Sequence, residues 1–152
     1  METGPKVGGV DVRTAGWADL DSATAYALLK LRSDVFVVEQ NCVYPEMDGR
    51  DLESSARHLW TADGAGPTSY LRLLQDAPGE ARIGRVCTRA DARGAGLAAR
   101  LVDAALALVP GQVVRLNSQQ YLGGWYARWG FETSGEPFLD DGIPHVPMTL
   151  TP

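Results

Sequence analysis

The sequence predicts an α+β fold, an α/β layered arrangement in which helices cover a mixed central β-sheet. Three observations predict it. Arg82 to Thr88, Gly96 to Val109 and Val113 to Leu116 read in order as strand, helix and strand. Short apolar runs bounded by turn residues lie on both sides of that unit. A second helical pattern upstream supplies another layer.

Gly9 to Thr14 alternates as a first strand. Asp21 or Ser22 caps a helix running to about Phe36, with Leu28, Leu29, Leu31 and Val35 on one apolar face. Asn41 to Ser55 holds Pro45 and Gly49 and reads as a loop with a short helical turn. His58 to Thr61 and Ser69 to Leu74 are two strands separated by the turn residues Asp63 to Pro67. Leu97, Leu101, Ala104 and Leu108 mark the strongest helix, which Pro110-Gly111 ends. Leu122 to Trp129 forms a short helix stopped by Gly130, and final strands lie near Phe131 to Ser134 and Val146 to Leu150. No repeat or low-complexity linker divides the chain, so residues 1–152 are expected to form one domain.

The composition narrows the class. Hydrophobic residues make up 45% and charged residues 22%, an ordinary soluble balance. A net charge of -5 argues against nucleic-acid binding, which needs clustered Lys and Arg. No stretch reaches the ~20 apolar residues of a membrane span, and Met1 to Val12 has no apolar run of a signal peptide. Cys42 and Cys87 form neither a disulfide framework nor a metal-ligand pattern and are expected as reduced thiols in a cytoplasmic protein. No metal is expected.

Arg93-Gly94-Ala95-Gly96-Leu97-Ala98 lies between a strand and the strongest helix. A helix start there leaves backbone N–H groups unpaired, and the helix dipole adds to their pull on an anion. The glycines let a phosphate approach, and Arg93 adds fixed positive charge. Taken alone, the segment reads equally well as a plain turn. Gly94, Gly96 and Ala99 also satisfy a dinucleotide fingerprint, but Val113 to Asn117 lacks the acid that holds a ribose. A pyrophosphate loop fits better than a nicotinamide site.

Three segments together carry a family resemblance. Ile83 to Thr88 followed by Arg93 to Ala98 resembles the coenzyme A motif of the GNAT N-acetyltransferase superfamily, with Ala98 where many members have Gly. Asn117, with Tyr126 nine residues on and then Gly130-Phe131, resembles the next motif. Val35 to Gln40, with Asp48-Gly49, His58 and Asp141 to His145, is similar to the ElaA-like branch.

The resemblance implies a sheet splayed open between Ile83 to Thr88 and Val113 to Ser118. It implies acetyl-CoA as cosubstrate, with pantetheine along Val86, Cys87 and Thr88. The pyrophosphate would sit on Arg93, Gly94, Ala95, Gly96, Leu97, Ala98 and Ala99, and Asn117 would reach the coenzyme side. Tyr126 would protonate the leaving thiolate; without the motif it reads as a core aromatic beside Trp125, Trp129 and Phe131. Glu39, His58 and His145 are the candidate bases and acceptor-binding residues. Glu39 is preferred because the family places the end of its first helices over the substrate side.

Glu39, Glu46, Asp48, Asp51 and Glu53 cluster in one stretch and would attract a cationic amine if they line the acceptor cleft. Otherwise they form a solvated loop. Trp125, Trp129 and Tyr44 are candidate pocket walls. The expected activity is transfer of an acetyl group from acetyl-CoA to a primary amine, borne by a small molecule or a peptide, with the protein a monomer or homodimer. The alternative is a coenzyme A-binding module without turnover.

Overall fold

The structure, a computed structural model, describes residues 2–7 and 10–152. The described residues form one nine-stranded sheet. Strands β1 (Glu2–Val7), β2 (Val10–Ala15), β3 (Arg57–Asp63), β4 (Gly66–Ala77) and β5 (Glu80–Thr88) follow one another as antiparallel neighbours. β6 (Val113–Gln119) then lies parallel to β5, and β9 (Ile143–Leu150) pairs antiparallel with β6. The short β7 (Glu132–Thr133) and β8 (Phe138–Asp140) both pair with β9. The first strand expected from the sequence corresponds to β2; Gly9, where it was expected to begin, lies outside the described residues.

The single parallel pairing arises because helix α2 (Leu97–Leu108) carries the chain from the end of β5 back to the start of β6. The sheet has a packed layer on each face. On one side α2 covers Val12, Leu59, Leu71, Ile83, Val114 and Leu116. On the other, α1 (Ser22–Ser33) covers Ala15, Trp60, Tyr70 and Cys87 through Leu28, Leu31 and the following Val35. β4 lies between both layers, and every residue from Thr68 to Leu74 is buried, so its sequence reads as a nearly continuous run rather than an alternation.

Two helix details differ from the sequence expectation. The buried face of α2 is Leu101, Val102, Ala104 and Ala105, whereas Leu108 is exposed. Leu97 turns toward the cleft described below. The upstream helix begins at Ser22, with the Asp21 side chain accepting the Thr24 N–H at 2.7 Å. It leaves α-geometry after Ser33 and continues as a π-helical turn over Asp34–Glu39. The backbone N–H groups of Gln40 and Cys42 reach back five residues to the carbonyls of Val35 and Val37. This wider turn brings Phe36, Glu39 and Gln40 to the cleft.

Candidate active site

β5 and β6 are paired only at Glu80–Arg82 and Val113–Arg115. Beyond Arg82 the two strands separate, and among the described residues no strand pairs with the edge of β5 from Ile83 to Thr88 on that side. A register shift in the pairing of β4 with β5 occurs where Gly84 to Cys87 face Arg72 to Tyr70, and Arg85 there adopts φ 54. A non-glycine residue in the left-handed region stores strain of about 1–3 kcal/mol. The Arg85 side chain is anchored in return: its Nε donates to Glu46 at 2.9 Å and its Nη2 to the Glu46 carbonyl at 3.1 Å. The bulge bends β5 away from β6 and opens the sheet.

A cleft of about 1130 Å³ occupies the opening. Val86, Cys87, Thr88, Arg93, Gly94, Gly96, Leu97, Ala98, Ala99 and Asn117 all line it, and Ala95 does not. Gly94 and Gly96 have φ 86 and 75, conformations that glycine adopts without a Cβ penalty. Nothing stands within 4 Å of where a Cβ would be at either position, so the loop is an open cradle. Gly96 caps α2 without a side-chain bond, and the first intrahelical bond runs from Arg100 N to Gly96 O. The N–H groups of Leu97, Ala98 and Ala99 are therefore left without helical partners.

Arg93 joins the two halves of the cleft. Its Nη1 and Nη2 donate to Glu39 Oε2 and Oε1 at 2.6 and 2.7 Å, and its Nε donates to the Thr88 carbonyl at 3.2 Å. Hydrogen bonding from Arg93 holds the Glu39 carboxyl below its ordinary range, which makes it a weak proton acceptor in this arrangement. Glu39 lines the cleft as expected, but as one half of an ion pair.

Tyr126 ends α3 (Gly123–Tyr126) on the floor of the same cleft. It is 6% exposed and packs edge-on to Trp125 and Phe131, with ring centroids 4.9 and 6.0 Å away. Its hydroxyl has no hydrogen-bond partner among the described residues. Burial pushes its pKa up to about 12. Trp125 and Tyr44 line the cleft. Trp129 does not; its Nε1 donates to Asp103 at 2.7 Å on the outer side of α2.

The histidines separate. His145, on β9, lines the cleft. Its Nδ1 lies 2.7 Å from the Ile143 carbonyl and so carries the proton, which leaves the Nε2 lone pair free in the neutral ring. His58 is 0% exposed and does not line the cleft. Its Nδ1 faces Tyr70 Oη at 2.6 Å and its Nε2 faces the Asp51 carbonyl at 3.2 Å. The expectation that His58 binds or deprotonates an acceptor is corrected: both ring nitrogens are committed and no solvent reaches them.

The acidic stretch follows neither reading whole: Glu39 and Asp48 line the cleft, but the carboxylates are paired with arginines. Glu46 and Asp51 are buried, and together with Asp48 they pair with three arginines from other elements. Arg32, wholly buried on α1, donates to Glu46 at 2.8 Å and to Asp51 at 2.7 Å. Arg72 on β4 donates to Asp48 at 2.8 and 2.9 Å. Burial raises the Asp51 and Asp48 pKa values, but the arginine hydrogen bonds outweigh it and hold both below the usual carboxylate range. Three carboxylates are thus neutralised by three guanidiniums, and the loop is a staple rather than a field source. Tyr44 Oη adds a bond to Glu46. The one sequence signal for this network was Arg32 on the apolar face of α1. Arg85, within the Ile83 to Thr88 segment, carries no local signal of this role. No group of three or more His, Cys, Asp or Glu side chains among the described residues is placed to hold a metal ion.

A family model described as an acetyltransferase (GNAT) domain matches residues 29–152. A UPF0039 protein of Mycobacterium tuberculosis is 56% identical over 138 residues, covering 87% of this chain and 88% of the relative. A crystal structure of an acyl-CoA N-acyltransferase from Pseudomonas aeruginosa superposes with a TM-score of 0.85 at 40% identity, covering 92% of this chain and 98% of that one. Escherichia coli ElaA superposes with a TM-score of 0.83 at 32% identity, with the same coverages.

Proposed function

The chain belongs to the GNAT acetyltransferase family, and on that premise we propose that it moves an acetyl group from acetyl-CoA to a primary amine by direct attack within a ternary complex. One observation carries the reading: the unpaired edge of β5 is followed, through the turn and loop from Arg89 to Gly96, by a helix start with three unpaired N–H groups. A ligand that adds to a strand edge and ends in a diphosphate matches both features. The open cradle at Gly94 and Gly96 fits the same ligand.

In this proposal Val86, Cys87 and Thr88 hold the pantetheine, and residues Arg93 to Ala99 hold the diphosphate. The amine nitrogen attacks the thioester carbonyl; the new C–N bond forms as the C–S bond breaks. An N–H near Val86, at the bulge, stabilises the charge that builds on the carbonyl oxygen. Tyr126 gives its proton to the departing thiolate. Its raised pKa keeps it protonated at neutral pH, the state an acid requires. The amine must shed a proton, because an alkylammonium with a pKa near ~10 is almost wholly charged at pH 7. His145 Nε2 accepts that proton, directly or through water, because it lines the cleft with its lone pair free, whereas His58 is buried away from the cleft.

The test is an acetyl-transfer screen against a broad amine panel, read by released thiol. Thermal shifts with CoA, pantetheine and NAD accompany it, because a ligand specific to the folded state raises apparent stability. Thiol release with at least one amine, and stabilisation by CoA well above pantetheine, is the expected result. Binding of CoA with no turnover on any amine favours the silent binding module instead.

A further inference from the structure

Arg93 and Glu39 come from opposite halves of the cleft, the phosphate loop and the π-helical turn, yet they form a two-bond fork at 2.6 and 2.7 Å. The fork uses both terminal nitrogens of Arg93, the same nitrogens that a diphosphate on the neighbouring N–H groups of Leu97 to Ala99 would engage. Carboxylate and phosphate compete for guanidinium in the same planar geometry. A diphosphate brought beside Glu39 also repels it. The pair is half exposed on both sides, so it is weak and can be exchanged at little cost.

We infer that Arg93 exchanges Glu39 for the diphosphate of the donor, and that the released Glu39 carboxylate becomes the site for the acceptor's ammonium group. The inference rests on the coenzyme reading above. Of the other acids that line the cleft, Asp48 stays tied to Arg72 and Arg85, and Asp140 and Asp141 lie at the turn between β8 and β9, so Glu39 is the carboxylate that donor binding sets free. The pair thereby links the two sites: a bound donor raises affinity for a cationic acceptor, and by reciprocity the acceptor raises affinity for the donor. An exposed pair of this kind supports a coupling of roughly two- to fivefold.

Titration calorimetry with CoA and with pantetheine, which lacks the phosphates, tests the exchange. The proteins are the wild type, Glu39→Gln, Arg93→Gln and the double variant. Glu39→Gln is expected to tighten CoA roughly two- to fivefold and leave pantetheine unchanged. Arg93→Gln weakens CoA, and in that background Glu39→Gln has no further effect, the non-additivity of two residues acting through one another. Unchanged or weaker CoA binding by Glu39→Gln overturns the exchange. Equal tightening with and without Arg93 also overturns it, because removal of a negative charge alone then explains the result. If wild type binds CoA no better than pantetheine, the coenzyme reading itself has failed, and the exchange with it.

Discussion

His58 Nδ1 lies 2.6 Å from Tyr70 Oη in a site from which solvent is excluded, with Nε2 on the Asp51 carbonyl. The arrangement suits a neutral ring: Nε2–H donates to the carbonyl, and Nδ1 accepts from the tyrosine hydroxyl. Burial lowers the His58 pKa, and Arg32 and Arg72 push the same way. The folded pKa is therefore below the unfolded value of 6.5, and the unfolded chain binds the extra proton first. Stability from this site is full above pH ~6.5 and is lost as pH falls through the folded pKa. Urea midpoints measured from pH 8 down to pH 5 should fall, and His58→Gln should flatten that slope. An equal slope in the variant assigns the acid sensitivity to other groups.

Removing Arg32 should be severe. Its guanidinium is wholly buried and answers both Glu46 and Asp51, so Arg32→Met leaves two buried carboxylates short of a partner. Breaking a buried pair in this way costs about 3–5 kcal/mol. For a chain of this size Tm should drop by roughly 10 °C. A Tm within about 2 °C of wild type would mean that the loop from Asn41 to Ser55 finds other partners.

His145→Gln tests the proton acceptor. The glutamine keeps a polar group near the Ile143 carbonyl and removes the titratable Nε2. CoA affinity should stay as in wild type, while kcat should fall. An unchanged kcat in the folded variant returns the role to water or to another group.

Tyr126→Phe keeps the aromatic body packed on Trp125 and Phe131 and removes only the hydroxyl. Fold and CoA affinity should be preserved, while the maximal rate drops roughly ten- to a thousandfold. A pKa near the ordinary tyrosine value of ~10 would halve the acid form by pH 10. Burial lifts it to about 12, so the wild-type rate should hold through pH 10. Normal turnover by the Phe variant on a confirmed acceptor assigns the proton to water.

Much of the fold was legible from residues that act over short range. The strand–helix–strand unit, the Gly94–Gly96 helix start, the Asp21 cap and the turns at Gly49, Gly111 and Gly130 are set by periodicity and by backbone freedom. Tyr126 and Asn117 stand out only through the family resemblance, whose motif spacing is local, and both line the cleft. The rest depends on residues far apart in the chain. The acidic stretch after Glu39 looks the same in one dimension whether it faces water or arginines. Only the packing of α1, β4 and the β5 bulge brings Arg32, Arg72 and Arg85 to Glu46, Asp48 and Asp51. His58 and His145 are likewise equivalent as residue types. The sequence by itself determined the layered sheet and the glycine loop that opens α2. Tertiary structure alone decided which charges are paired, because ion-pair energy depends on distance and burial, and neither is encoded in the order of neighbours.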